Sequence, residues 1–316
     1  MRNVTILVTC WFAIGCIPEE PQTNLRDLAP GAQSISLFGD TLFAPPQAEE
    51  VRAVHGGRLA IARDIYLADT TNADALIWFG RRTAYLGDYR EAIEIYTKGI
   101  KEHPRDARMY RHRGHRYLSV RRFDLAIDDL EHASRLIHGQ PDEVEPDGIP
   151  NARNIPTGTL HFNIWYHLGL AHYLEGEFRE AMRAYRECMA VSNNPDALVA
   201  TSYWLYMTLQ RLGLPNEAAR ILERITVDMD IIENGSYHEL LLLNKNELAP
   251  EDLLRTGDDD SAPLASATVG YGLGHWHWSN GRPEEAALVW QDVLAGAQST
   301  AFGYVAAEAE LARTAH

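Results

Sequence analysis

The sequence predicts an all-α solenoid of helix–turn–helix repeats, and three observations carry that expectation. The first is a fixed offset of 34 within Asp74 to Ile137. It aligns Gly80 with Gly114, Tyr89 with Phe123, Ala92 with Ala126 and Gly99 with Ala133. The second is the kind of residue that recurs. A small residue falls midway along the first helix of a unit and another in its second helix, where packing demands a short side chain. The third is length: 316 residues are many for one compact core but ordinary for a stack that buries its core repeat by repeat.

A helix–turn–helix unit of this length, with those small positions, resembles the tetratricopeptide repeat (TPR). The resemblance implies a right-handed superhelical solenoid over residues 47–316, closed by N- and C-terminal capping helices. The first helix runs from about Gln47 to Leu67. Val51, Val54, Ile61 and Ile65 share one face of it, which is expected to cover the open end of the stack. Thr70, Thr71 and Asn72 supply helix-start chemistry for the first unit.

Units fall near 73–106 and 107–137, with Pro104 ending the first. The third, 162–195, carries Gly169, Phe178, Ala181, Tyr185 and Cys188 at the expected places. From Ala126 to Ala181 the offset is 55, more than the 34 of a single unit, so an insert occupies 139–161. The fourth unit, 199–227, has Ala218 in its second helix and Tyr206 where a small residue is usual. From Ala218 to Ala286 the offset is 68, twice that of a unit, so a degenerate unit at 233–257 precedes a regular one at 267–296. A capping helix at 302–314 closes the chain.

The N-terminus reads differently. Residues 1–16 hold one cation, Arg2, followed by a mostly apolar run too short to span a bilayer. This is the layout of a secretory signal. Its end, Ala13-Ile14-Gly15-Cys16, resembles a bacterial lipobox, which implies lipidation of Cys16 and membrane attachment through acyl chains. Residues 17–46, with five prolines, read as an extended tether. Cys188 takes a helix-packing position and reads as a small buried apolar side chain.

A net charge of −15 excludes a general nucleic-acid binder. Yet from Arg81 to Arg122 twelve basic residues face five acids. In TPR proteins the first helices line a concave groove. The resemblance places Arg81, Arg111, His112, His115, Asn163, Tyr166 and His167 there as ligand- or partner-binding residues, with Tyr173, Tyr203, Tyr271 and His275 farther along. Two readings of the arginines stand side by side. They bind the carboxylates of a partner, for which the guanidinium fork is suited. Or they are neutralised by Asp142, Glu143, Glu145 and Asp147 of the insert. The insert itself is long for a loop without a helix and is placed to gate the groove. The family's lysine–asparagine carboxylate clamp is not carried over, because Ile77 and Arg81 stand at its positions.

No metal or catalytic motif accompanies the histidines, so no catalytic residue, metal or cofactor is assigned. The expected function is a non-enzymatic protein–protein interaction scaffold of the bacterial cell envelope, lipid-anchored, binding a peptide segment in a basic and aromatic groove. The alternative is an envelope enzyme or small-ligand or metal binder, with a His/Arg/Asn site between units two and three. A third expectation is self-association through an aromatic end formed by Trp276, Trp278 and Trp290.

Overall fold

The computed structural model describes residues 28–253 and 262–314. The signal-like segment, Cys16, the first part of the tether and the acidic run 258–260 lie outside the described residues. The rest is a stack of antiparallel helix pairs. A leading helix α1 (Glu49–Ala68) is followed by α2 (Ala73–Tyr85) with α3 (Tyr89–Glu102), and α4 (Ala107–Ser119) with α5 (Phe123–Ile137). The insert then leads to α6 (Leu160–Glu175) with α7 (Phe178–Val191), and α8 (Pro195–Arg211) with α9 (Pro215–Leu222). The degenerate unit is α10 (Gly235–Asn244) with a single turn, α11 (Pro250–Leu253). The last pair is α12 (Ala262–Ser279) with α13 (Pro283–Leu294), and α14 (Phe302–Thr314) ends the chain.

Local chemistry sets these elements. Asn72, Asp106, Thr159 and Asn194 cap α2, α4, α6 and α8, each accepting a hydrogen bond from a backbone N–H of the first turn. Within a unit, one glycine and one large side chain sixteen positions later make the helix crossing: Gly80 with Tyr96, Gly114 with Leu130, Gly169 with Tyr185, Gly274 with Trp290. A Cβ at Gly80 would stand 2.6 Å from the Tyr96 ring. The turns between paired helices use a left-handed residue, Gly87, Gly176, Gly213 and Gly281 in four units. In the second unit that residue is Arg121, at φ 58°. A non-glycine residue is strained there, and its side chain is held by an ion pair described below.

Two expectations are corrected and two are refined. The tether does not extend to residue 46. Residues 32–43 form a hairpin, β1 (Ala32–Ile35) antiparallel to β2 (Thr41–Phe43), seated on the first two units. Ser34 Oγ donates to Val120 O at 2.7 Å, and Arg90 Nη1 donates to Ala32 O at 3.0 Å. Backbone groups that the tether reading left to water are therefore paired with the stack.

Helix α1 turns the other half of its apolar stripe inward. His55, Ala62 and Tyr66 are buried, while Val51, Val54, Ile61 and Ile65 are exposed. The two sets are adjacent on one wide stripe, and α2 is a single neighbour that covers only half of it.

The C-terminal helix closes the last pair and reaches beyond it. α14 packs on α12 and α13 and extends along the concave face to α6. Eight successive residues, Gly303 to Glu310, are buried, as expected of a helix with neighbours on every side. Two carboxylates fix it. Glu308 pairs with Arg121 (2.7 Å), both nearly inaccessible, and Glu310 pairs with Arg211 and Arg313. The left-handed turn at Arg121 thus aims its guanidinium into the concave face. Glu308 also accepts the N–H of Leu37, joining the hairpin to α14.

The aromatic end is partly covered: Trp276 and Trp278 are half-buried. Trp290 is buried over Gly274, and Arg282 and Arg211 stack on Trp276 and Trp278. Tyr206, where a small residue is usual, is buried.

Candidate functional site

Because α14 occupies the concave face, the aromatic part of the expected groove is interior. Tyr173, Tyr203, Tyr271 and His275 are each at most 1% exposed. The Tyr173 and Tyr271 hydroxyls lie 2.7 Å apart and both stand within 3.4 Å of Glu310 Oε1, so one donates to the other while the second donates to the carboxylate. A long open groove is therefore not what this face offers.

What remains open is a cavity of about 340 Å³ at the junction of the second and third units. Six of the seven residues singled out from the sequence line it: Arg81, Arg111, His115, Asn163, Tyr166 and His167. His112, the seventh, lines an adjoining cavity of about 230 Å³ with Trp78 and Arg108. Arg81, Glu145 and Pro146 border both. The far wall comes from Glu233, Asn234 and Tyr237, and Phe302 of α14 closes one side. Phe302 is not among the residues the repeat register points to; it packs on His115 and His167, whose rings lie 4.3 Å apart.

The insert forms the roof. Its two arms pair through Val144 and Thr159, with Leu160 N donating to Glu143 O and Glu145 N to Gly158 O. One end is pinned on α2. Arg82 Nη1 donates to Gly148 O at 2.8 Å, and a Cβ on Gly148 would fall 1.7 Å from Tyr85 Oη. The other end is pinned across the concave mouth, where Asn151 and Thr157 donate to Glu233 and Arg153 pairs with Asp230.

The charges sort cleanly. Glu145 is the one insert acid that enters an arginine pair among the described residues of this cluster. It lies 3.0 Å from Arg111 Nε and accepts from Asn163 Nδ2 at 3.2 Å. Arg108, Arg113 and Arg122 are paired instead by acids of the repeats themselves, Asp74 and Asp106, Asp129, and Asp124. Arg81 ion-pairs with no carboxylate among the described residues, with Asp147 of the rim only within its electrostatic reach; its guanidinium stacks on Trp78 at 4.5 Å and donates to Tyr85 Oη. Arg116 likewise has only an aromatic face, that of Tyr89 at 5.4 Å. The neutralising reading thus accounts for Arg111 and leaves Arg81 facing the cavity.

Burial holds His112, His115 and His167 well below the ordinary histidine range, and the neighbouring Arg111 and Arg116 guanidiniums push the same way. The three are neutral at pH 7 and act as hydrogen-bonding and stacking surfaces. Asp147, at the rim, is pushed up by desolvation and by Glu233. Among the described residues no three His, Cys, Asp or Glu side chains converge as metal ligands. Cys188 sits buried against Thr201 Oγ1 at 3.1 Å, with burial pushing its thiol up to about 12. It is inert there.

The cavity thus sets Arg81 and Arg111 among Glu145, Asp147 and Glu233, over a polar floor of Asn163 and Tyr166 and beside an aromatic side.

Comparison with known proteins speaks to the fold. Two tetratricopeptide-repeat family models match residues 79–136 and 162–195. Among solved structures, MamA is similar at 19% identity and a TM-score of 0.43, over 55% of this chain and 88% of that one. YrrB, a TPR protein with an unusual peptide-binding site, is similar at 14% identity and a TM-score of 0.41, over 79% and 97%. TPR-like repeats of a kinesin light chain from Podosopora anserina reach 15% identity and a TM-score of 0.41, over 71% and 94%. Together with the constant repeat offset and the glycine crossings, the family matches mark residues 79–136 and 162–195 as tetratricopeptide repeats.

Proposed function

We propose that the protein is an interaction scaffold of the bacterial cell envelope that receives a carboxylate-bearing segment of a protein partner in the cavity between units two and three. The observation that carries this reading is Arg81. It lines the cavity, and among the described residues no carboxylate ion-pairs with it, while Arg108, Arg111, Arg113, Arg121 and Arg122 are matched. A half-buried guanidinium without an acid gains when one is supplied. The insert is pinned at α2 and at residues 230–233, so entry runs past its edge.

The test is a photo-crosslinking amino acid at Asp147 in cells. It is expected to yield a discrete protein adduct that disappears in Arg81→Glu and survives in Arg81→Lys. An adduct pattern unchanged by Arg81→Glu overturns the reading. The envelope assignment rests on the lipobox-like end at Cys16. Cys16→Ser is expected to move the protein from the membrane to the soluble fraction, and retention at the membrane counts against the anchor.

A second reading, a small anionic ligand in the same cavity, is favoured by its walls: roof, floor and Phe302 enclose a volume at the small end of ligand pockets. Native mass spectrometry separates the two. A bound mass of a few hundred daltons (order of magnitude for a pocket ligand) that Arg81→Glu removes favours the small ligand.

A further inference from the structure

The solenoid begins half a unit early. α1 precedes α2 as α3 precedes α4, in the same repeat register. Arg58, Ala62 and Ile65 therefore hold in α1 the places of Ala92, Tyr96 and Gly99 in α3. In α3 those positions face the first helix of their own unit: Tyr96 fills the space over Gly80, and Gly99 lies against Leu76. On the other wall, Ala75, Trp78 and Arg82 of α2 hold the places of Met109, His112 and Arg116 in α4. α1 is thus a second helix whose own first helix is missing from the described residues.

The seat of that helix is a trough. It has a volume of about 340 Å³ between α1 and α2, floored by Ala62, Ala75 and Trp78 and walled by Ile61 and Ile65. Ile61 and Ile65 are 63% and 56% exposed, and Val54, on the same stripe, is 53% exposed. Val51, Val54, Arg58, Ile61 and Ile65 alternate at spacings of three and four, the seam that pairs one helix with another. The trough is also charged in one sense. Arg58 and Arg82 border it, and neither ion-pairs with a carboxylate among the described residues. Arg82 stacks on Trp78 at 4.8 Å and donates Nη1 to Gly148 O of the insert, which leaves Nε and Nη2 for a carboxylate. Asp74, the acid at its edge, is already paired with Arg108 at 2.6 Å. A second copy is a poor occupant: antiparallel pairing about the middle of α1 sets Arg58 against its own counterpart.

We propose that this trough is a docking site for an amphipathic helix of a protein partner, one with aliphatic residues along its seam and carboxylates facing Arg58 and Arg82. Such a helix completes the missing half-unit and buries the exposed half of the α1 stripe. It docks at the outer end of the stack, on the other side of Trp78 from the cavity proposed above, so the two can be occupied together.

The test uses the full chain and two synthetic helical peptides of about three heptads, with identical leucine seams flanked by glutamates or by lysines. Fluorescence anisotropy is expected to show the glutamate peptide binding about tenfold tighter or more. Ile61→Glu and Ile65→Glu, both at exposed positions, are each expected to weaken it by about tenfold. Arg58→Glu is expected to reverse the preference toward the lysine peptide. Circular dichroism of each variant confirms that the fold is retained. Equal binding of the two peptides, binding that survives Ile65→Glu, or no binding of either peptide overturns the proposal. So does a dimer in sedimentation that Ile65→Glu splits, which would make a second copy the occupant.

Discussion

Glu310→Ala is expected to destabilise the protein by about 3–5 kcal/mol, with the loss concentrated in α14. The Glu310 side chain is 1% exposed and faces two guanidiniums, Arg211 and Arg313, and two buried tyrosine hydroxyls. Removing the carboxylate leaves both cations in a low-dielectric site with no countercharge, and that penalty exceeds the loss of the contacts themselves. Glu310→Gln keeps the shape and part of the hydrogen bonding, so its loss is smaller. In a repeat stack, units unfold with some independence. The informative measurement is therefore amide exchange by segment beside the thermal melt. Faster exchange over 302–314 and the hairpin, with α3 and α5 unchanged, is the expected pattern. Uniform exchange across all segments, or none, would mean that the concave face is not held through this carboxylate.

The same helix shows where the sequence is readable and where it is not. The regular units are legible because their packing is local. Gly80 and Tyr96, or Gly169 and Tyr185, meet sixteen positions apart within one helix pair, so a single offset finds them all. The junction cavity was legible for the same reason: first-helix positions repeat, and six of seven chosen residues converge. α14 is a non-local case. Its contacts with Arg121 and Arg211 span 187 and 99 residues, and no periodicity links them. One signal was present. GYVAAEAE has two acids but no polar face, which suits a helix surrounded by protein. A second was Arg121, standing one repeat after Gly87 in a turn that elsewhere uses glycine. The inward half of α1 had no such signal, because both halves of its stripe have helical spacing and only the position of α2 chooses between them.

Trp204→Ala carries the other large expected effect, again about 3–5 kcal/mol, here from a cavity in the aromatic interior. Trp204 is fully buried on α8 and touches three other helices. Its ring stacks on Tyr271 of α12 with centroids 5.7 Å apart, and meets Tyr173 of α6 edge-on at 5.3 Å. It also meets Tyr237 of α10 edge-on, and its Nε1–H donates to Tyr166 Oη at 2.8 Å. Alanine removes the ring area and this donor together. Trp204→Phe retains most of the area, and Tyr166 keeps a hydroxyl partner in Tyr237 at 3.3 Å, so its expected loss is about 1–2 kcal/mol. Urea unfolding followed by far-UV circular dichroism measures both, and a Trp204→Ala loss no larger than that of Trp204→Phe would contradict the packing. The consequence for the cavity is direct. Tyr166 and Tyr237 line it, and Trp204 is the side chain behind both. A weakened Arg81-dependent adduct in Trp204→Phe, at temperatures where the fold is intact, would mean that the aromatic interior sets the geometry of the binding surface as well as its stability.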